Sequence, residues 1–278
     1  MNTNRIIKYV GITLAILIII NIVMFLFQLV SWMGFTSTTK KEVTTIYNKK
    51  IELVEDNRNS RVDFLDIELG ASKLTIKESS DIFKIDTNNE YVNIKEIGNI
   101  EGNGNTLKIK EKSHWFGDKN VETIIYVPAG YRFSEIKIKV GAGVFEADVL
   151  NAEKIDLELG AGTTNIRSIK ETNKLDIDTG AGKLELSNAY VNELDLDMGV
   201  GEVIISGEFK NADIDAGVGS LTLNLTSEGE YQYVVNKGVG SIKINDESVS
   251  NGKFKDGTNL IKIDGGIGSI TVKEKSIR

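Results

Sequence analysis

The sequence has no cysteine, one histidine and one proline in 278 residues. Without thiols, a disulfide framework, a zinc–thiolate site and a cysteine nucleophile are excluded. Because His114 is the single histidine, multi-histidine metal centres are excluded as well. The chain also lacks a basic excess, with 33 Lys and Arg against 40 Asp and Glu, which argues against nucleic acid as a partner.

The charges that are present divide unevenly along the chain. Residues 1–41 contain four basic side chains and no acidic one, whereas the remainder holds 29 basic and 40 acidic groups. A basic terminus in front of an acidic body indicates a membrane protein with one soluble domain.

One long apolar run lies near the N-terminus. Val10–Val30 contains 21 residues without a charge, close to the ~20 that a helix needs to cross a bilayer. We therefore predict a transmembrane helix over residues 10–31, preceded by a tail over 1–9 and followed by a stalk over 32–59. A cleaved signal peptide is the alternative, but the run is longer than the ~7–15 residues of a signal-peptide core.

The flanking charges bear on the orientation of this helix. Arg5 and Lys8 precede the run, and Lys40 and Lys41 follow it about ten residues later. The positive-inside rule favours the N-terminal pair as the cytosolic side. We therefore expect a cytosolic tail and a single-pass protein whose C-terminal domain is extracytoplasmic.

The rest of the chain is governed by a repeat. A Gly-x-Gly pair recurs at intervals of 19, 20, 19, 18, 21 and 28 residues. The first glycines of these pairs are Gly141, Gly160, Gly180, Gly199, Gly217, Gly238 and Gly266. Strict apolar–polar alternation, such as Leu194-Asp195-Leu196-Asp197, precedes the pairs, and a second alternating run follows them. A period of two residues indicates strands with one apolar and one wet face.

This pattern predicts an all-β fold, namely a parallel β-helix or solenoid with two short strands per unit of about 19 residues. We take it as right-handed, by the crossover rule for parallel strands. The predicted solenoid occupies residues 60–278, with irregular units over 60–135 and regular units over 136–278. Such a small unit cannot bury its own apolar face, but stacked neighbours can. A β-meander or sandwich is the alternative, although hairpins would favour Asn-Gly or Asp-Gly turns.

Two segments carry a resemblance to a known family. The run Ile125-Tyr126-Val127-Pro128-Ala129-Gly130, followed by Ile136–Gly143 and further GAG and GVG units, resembles the bacterial "putative adhesin" family of β-strand-repeat domains of unknown function. The resemblance covers roughly residues 50–278. It implies a β-helix-like fold and a place in the bacterial cell envelope, here the cell membrane, but it supplies no catalytic or binding residues.

The outward positions of the alternating runs form two acidic columns. The first holds Asp156, Asp176, Asp195 and Asp213, and the second holds Glu158, Asp178, Asp197 and Asp215. Such columns could bind Ca²⁺, a polycation or a basic partner. They could equally be a solvated face that keeps the sheet soluble, because Lys137, Lys139 and Lys262 interrupt the pattern elsewhere. The candidate cation ligands are Asp176, Asp178, Asp195, Asp197, Asp213 and Asp215.

The other candidate sites are weaker. The glycine pairs lack the third glycine and the helix of a dinucleotide-binding motif, and Ile270 stands where a calcium-binding nonapeptide repeat requires Asp. His114-Trp115-Phe116 is read as a cap over one end of the solenoid or as an exposed aromatic contact. No catalytic set and no cofactor motif is apparent, so we expect no enzyme and no cofactor.

The function indicated by the sequence is that of a membrane-anchored, extracytoplasmic module for surface adhesion or protein interaction. The expected partner is another envelope protein or a surface glycan, with the membrane contacted through residues 10–31. The first alternative is an envelope-stress sensing or regulatory subunit that works through a membrane partner. The second is a domain that binds divalent cations or polysaccharide.

Overall fold

The computed structural model describes residues 42–50, 61–98, 104–112, 121–227 and 230–275. All of them belong to one compact unit that begins at Thr39. In these ranges every regular element is a strand, and none of them contains a helix suited to spanning a membrane. The predicted transmembrane helix over 10–31 and the His114 cluster lie outside the described residues.

The strands form a single mixed sheet system. In chain order they are β1 (Thr44–Lys50), β2 (Val62–Ser79), β3 (Ile82–Thr87), β4 (Val92–Ile97), β5 (Asn105–Glu111), β6 (Glu122–Pro128), β7 (Phe133–Asp215), β8 (Val218–Leu225), β9 (Tyr231–Asn236), β10 (Val239–Ile244), β11 (Glu247–Val249), β12 (Gly252–Phe254), β13 (Asn259–Asp264) and β14 (Ile267–Glu274). All described elements are hydrogen-bonded into one 14-stranded sheet.

The regular repeats follow one another without an irregular segment between them. β7 runs for 83 residues and passes through four Gly-x-Gly pairs without a break. The backbone stays extended through these turns because glycine accepts the required conformation. The predicted register is confirmed, since Leu157, Ile177, Leu196 and Ile214 are at most 1% exposed. Their outward neighbours are half-buried or exposed.

Neighbouring units stack in parallel, and the contact between their backbones explains the glycines. Gly162 has φ of 143°, which side-chain-bearing residues rarely adopt. A Cβ added there would lie 1.9 Å from the carbonyl oxygen of Gly143 in the next unit. The same close approach recurs up the stack, so a larger residue at these positions would push adjacent units apart.

The order of units in space departs from their order in the chain at the C-terminal end. β14 pairs with β8 on one side and with β10 on the other, in parallel register throughout. β13 likewise lies between the end of β7 and β9. The last unit of the chain, β13–β14, is therefore inserted inside the unit β9–β10, which forms the outermost layer.

At the N-terminal end, too, the order of the layers in space differs from their order in the chain. β2 pairs in parallel with the first unit of β7, from Phe64 opposite Glu135 to Ile76 opposite Ala147. On its other side β2 pairs in parallel with β5 and β6, which come later in the sequence. The outermost parallel layer at this end is therefore β5–β6, and β2 lies inside it.

Antiparallel strands cover both ends of the parallel stack. At the N-terminal end β3 pairs antiparallel with β6 and with β1, and β4 pairs antiparallel with β5. At the C-terminal end β11 pairs with β10 and β12 with β9. Such coverage leaves short or charged outer strands in place of the long edge that a bare solenoid would offer to another chain.

Candidate functional site

The acidic columns predicted from the sequence lie on the strand segments that precede the glycine turns. In these segments the inward residues belong to one apolar core, and the carboxylates therefore point away from it. Equivalent residues of neighbouring units come to within about 4.8 Å of each other along a column. We call the surface formed by these two columns the acidic face.

The first column changes character along the stack. At the N-terminal end of the stack, side chains of opposite charge alternate along this column. Asp66 lies between Lys108 and Lys137 on the two neighbouring strands. Lys137 Nζ then lies 3.1 Å from Asp156 Oδ2. Beyond this point three aspartates follow in succession, and the column ends at a further lysine. These are Asp176, Asp195, Asp213 and Lys262.

Two lysines partly neutralise this run of aspartates. Lys174 Nζ lies 2.7 Å from Asp176 Oδ1 and 3.9 Å from Asp195 Oδ2. Lys262 Nζ lies 2.8 Å from Asp213 Oδ2. The pKa values of both lysines are raised, chiefly by these hydrogen bonds to carboxylates. The first column is therefore close to balanced.

The second column is not balanced. At the N-terminal end Glu68 pairs with Lys110, and Lys139 pairs with Glu158. The next four positions are all aspartates, and within the described residues none of them forms an ion pair. They are Asp178, Asp197, Asp215 and Asp264. The acidic face therefore carries its excess negative charge in one line, toward the C-terminal end of the stack.

Burial, together with the neighbouring carboxylates, raises the pKa values of three aspartates on the acidic face. Burial and then the charges of Asp197 and Asp156 raise the pKa of Asp178. Burial followed by Asp264 and Asp197 raises the pKa of Asp215. The pKa of Asp195 is raised by burial and by Asp176, and Lys174 opposes the shift. Like charges held side by side make the ionised forms less favourable than in free aspartate, and a cation placed over them would reverse this effect.

The six candidate cation ligands lie on this face, in two parallel lines. In the part of the chain that the structure describes, no three acidic or histidine side chains gather closely enough to hold a metal ion. Calcium takes six to eight oxygen ligands around one point, whereas the sheet spreads these carboxylates along straight columns. The geometry suits an extended positive surface better than a single ion.

Asp264 is the member of the acidic face that sequence reasoning missed. It is paired with Asp215, although 49 residues separate the two in the chain. The signal was present, because Ile261-Lys262-Ile263-Asp264 alternates like the other segments and precedes Gly266. The pairing of Asp264 with Asp215 could not be read from the sequence because the unit β9–β10 lies between them in the chain. That unit carries the neutral residues Val234 and Asn236 at the equivalent positions.

Solved structures similar to this chain come from several bacteria. A solved structure from Bacteroides fragilis, named as a putative adhesin, is 16% identical with a TM-score of 0.50, and the match covers 84% of this chain and 98% of that one. A putative cell adhesion protein from Clostridium sporogenes is 21% identical, with a TM-score of 0.38 and coverage of 84% and 100%. A putative lipid binding protein from Parabacteroides distasonis is 14% identical, with a TM-score of 0.40 and coverage of 83% and 96%.

No curated protein matches the sequence. The model of one domain family matches residues 62–267, which includes β2, the whole of β7 and most of the strands that follow. That range holds every member of the acidic face and all the glycine turns except the last, Gly266/Gly268, which it cuts. The chain belongs to the Toastrack DUF4097 family.

Proposed function

We propose that this protein is a membrane-anchored, extracytoplasmic interaction module of a bacterial envelope, and that the acidic face is its contact surface. The observation that carries the proposal is the line Asp178, Asp197, Asp215 and Asp264, which lacks a counter-ion within the described residues. The partner it fits is a protein with a strip of Lys and Arg side chains. Charge complementarity of this kind speeds association and selects the partner.

The regularity of the face supports a binding role rather than catalysis. Enzymes that use carboxylates set two of them apart by their environments, so that one donates a proton while the other stays ionised. Here the pKa values of Asp178, Asp195 and Asp215 all shift in the same direction and for the same reason. A row of equivalent charges is suited to a matching row on a partner, and the proposed function is non-catalytic.

The proposed location follows from the N-terminal sequence. Val10–Val30 contains no charged residue over 21 positions. An uncharged run of this length suits a helix that crosses the bilayer. Arg5 and Lys8 favour the cytosol for the N-terminal side, which leaves the strands outside the cell.

Protease added to intact cells tests this orientation. We expect cleavage of the domain that carries the acidic face, with a small anchor fragment left in the membrane. A protein tagged at the N-terminus and another tagged at the C-terminus identify which fragment survives. Protection of residues 61–275 in intact cells, with digestion only after lysis, would reverse the proposed orientation.

Crosslinking in intact cells tests the contact surface. The face variant carries Asp178→Asn, Asp197→Asn and Asp215→Asn. Its matched control removes three exposed acids elsewhere, through Glu153→Gln, Glu247→Gln and Asp256→Asn, and so has the same net charge. We expect the wild type and the control to capture the same partner in a salt-sensitive manner, and the face variant to lose it. Equal capture by all three proteins would contradict the proposal.

A further inference from the structure

A groove lies on the segments that follow the glycine turns, away from the acidic face. Its volume is about 390 Å³, and it extends across β2 and the first units of β7. This size falls within the range of small-molecule binding sites. Its floor and walls include Lys77, Asp148, Asn165, Arg167 and Ser187. A groove with these side chains is open to solvent and polar.

The groove contains hydrogen-bonding groups that the protein leaves unused. Lys77, Asn165 and Ser187 have no side-chain partner within the described residues, and they offer an ammonium, an amide and a hydroxyl. Thr75 also lines the groove; it is 6% exposed, and its Oγ1 has no hydrogen-bond partner. A buried hydroxyl without a partner is uncommon, and a ligand hydroxyl that reached it would satisfy it.

An exposed ion pair crosses the same surface. Arg167 Nη2 lies 3.2 Å from Asp148 Oδ1, and Glu146 is held by Lys73 at 3.0 Å. Carboxylates accept hydrogen bonds and guanidinium groups donate them, in fixed directions. Placed side by side, Asp148 and Arg167 would receive one hydroxyl as donor and the next hydroxyl as acceptor.

The chemistry of the lining excludes several ligand classes. The carboxylates of the lining are each paired with a cation: Glu146 with Lys73, Asp148 with Arg167 and Glu185 with Lys183. A phosphate or another strong anion would therefore find one unpaired cation within the described residues, Lys77, and no cluster of free cations of the kind that holds such ligands. The apolar residues of the wall, such as Ile76 and Ile166, are buried at 2% and 1% exposure, so an apolar ligand would find little surface. What remains is an uncharged ligand with many neighbouring hydroxyls.

We propose that the groove formed by Lys77, Asp148, Asn165, Arg167 and Ser187 binds a neutral saccharide. This inference rests on the proposed function only for the place where the sugar is met, since an extracytoplasmic domain is exposed to envelope glycans. Binding itself is a property of the groove. It is independent of the acidic face, which lies on other strand segments.

Saturation-transfer NMR on the full chain, held in a detergent without sugar headgroups, tests the proposal. The probes are maltose, cellobiose and N,N′-diacetylchitobiose. The groove variant carries Asp148→Asn and Arg167→Gln. Its control carries Asp176→Asn and Lys174→Gln, which removes an equivalent aspartate–cation pair from the acidic face. We expect saturable binding of at least one probe, a loss of at least tenfold in affinity in the groove variant, and no change in the control.

The contrary results are equally definite. Absence of saturable binding for all three disaccharides would overturn the proposal, and so would equal affinity in the groove variant and the wild type. Tighter binding of digalacturonic acid than of any neutral probe would assign the groove to acidic sugars and contradict the neutral class. Because this assay needs neither a partner nor a cell, its failure leaves the contact surface of the acidic face untouched, and the crosslinking result does not affect it.

Discussion

The regular middle of the solenoid and its two ends solve the same packing problem in different ways. In β7 each unit lies on the unit that precedes it in the chain, and nearly identical alternating segments supply the core. At both ends the chain instead builds an outermost layer and then returns to fill the layer inside it. The ends therefore depend on contacts between residues far apart in sequence, whereas the middle depends on neighbours.

The difference has a consequence for stability. In a simple solenoid the terminal unit contacts one neighbour and separates most easily. Here the last unit, β13–β14, is held on both faces, by β7 and β8 on one side and by β9 and β10 on the other. Peeling the chain from its C-terminus would expose two layers at once. The insertion of β13–β14 between two other layers therefore stabilises the C-terminal end against unfolding, in addition to the antiparallel strands that cover it.

Substitution in the core of the middle region should have the largest effect. Leu196 is fully buried, and Leu196→Asp would place a charge in the apolar interior. We expect a loss of more than about 4 kcal/mol in the free energy of unfolding, measured by chemical denaturation. The control Asp197→Asn changes the exposed neighbour and should stay within about 0.5 kcal/mol of the wild type. Equal losses would show that the strand register is wrong.

The glycine contacts should rank next. Gly162→Ala combines a strained φ with a Cβ 1.9 Å from a backbone oxygen, and it should cost about 2–5 kcal/mol. Gly130→Ala is the matched control, since Gly130 has φ of 75° but nothing within 4 Å of the added Cβ. It should cost about 1 kcal/mol from backbone strain alone. Thermal unfolding of both variants would separate the cost of backbone strain from the cost of the Cβ clash. Similar losses of stability in the two variants would contradict close stacking of the units.

The C-terminal end of the stack, β9–β14, should lose stability on a carboxylate-to-amide substitution of a kind that the middle region tolerates. We call this end the C-terminal cap. Glu274 accepts hydrogen bonds from Tyr233 Oη at 2.5 Å, from Lys255 Nζ at 2.7 Å and from Asn245 Nδ2 at 3.1 Å. We expect Glu274→Gln to cost about 1–3 kcal/mol. Hydrogen exchange should localise the loss to β9–β14. Glu247→Gln in the same cap should be silent, and an equal effect of the two would contradict a specific network.

The pH dependence of this cap has a defined sign. Although burial opposes the shift, hydrogen bonds from Lys255, Tyr233 and Asn245 keep the pKa of Glu274 below its usual range. The contribution of Glu274 to folding stability is therefore complete above the pKa that this carboxyl has in the unfolded chain. It is lost as the pH falls through the lower pKa of the folded state. Acid should loosen the cap in the wild type, and the Glu274→Gln variant should lack this step.

The acidic face should give the smallest effect, with the opposite sign. Two unit charges about 4.8 Å apart repel by about 0.9 kcal/mol in water, before screening by salt. The variant Asp178→Asn, Asp197→Asn, Asp215→Asn should therefore match or slightly exceed the wild type in melting temperature. Added NaCl should reproduce the gain. A saturable rise with Ca²⁺ in the wild type, absent from the variant and from NaCl at equal ionic strength, would instead show a cation site.

Acidification should also act on this face. Because the folded-state pKa values of Asp178 and Asp215 are raised, the folded chain binds protons more tightly than the unfolded chain at these positions. Their destabilising effect is present above the folded-state pKa and disappears as the pH falls below the unfolded value. Mild acid should thus stabilise the middle region before stronger acid loosens the cap.

The sequence was sufficient for the local features of the fold. Alternation around Leu157 and Ile214 gives the inward and outward faces, because a strand has an exact period of two. The two columns from Asp156 to Asp213 and from Glu158 to Asp215 follow from the same pattern. The two faces depend on residues close together in the chain, and the two columns depend on each repeat lying on the repeat before it.

The order of the layers could not be read in the same way. The pair Gly238/Gly240 and the pair Gly266/Gly268 carry the same turn signal, and either could stack on Gly217 as far as local chemistry decides. The choice depends on which unit is followed by segments that can cap an end, as β11 and β12 do for β9–β10. That is a property of the whole assembly, and it also explains why Asp264 was missed and why the groove beside Thr75 was not foreseen.

A pair of engineered disulfides tests the order of the layers in space most directly, and the cysteine-free chain makes the experiment clean. Thr222 is paired with Thr271, and Lys243 lies one layer beyond Thr271. Neighbouring Cα atoms at about 4.8 Å can be bridged, whereas a separation of two layers, about 9.6 Å, cannot. Under mild oxidation Thr222→Cys with Thr271→Cys should form an intramolecular disulfide, and Thr222→Cys with Lys243→Cys should remain reduced. The reverse result would show that the units stack in chain order and would contradict this account.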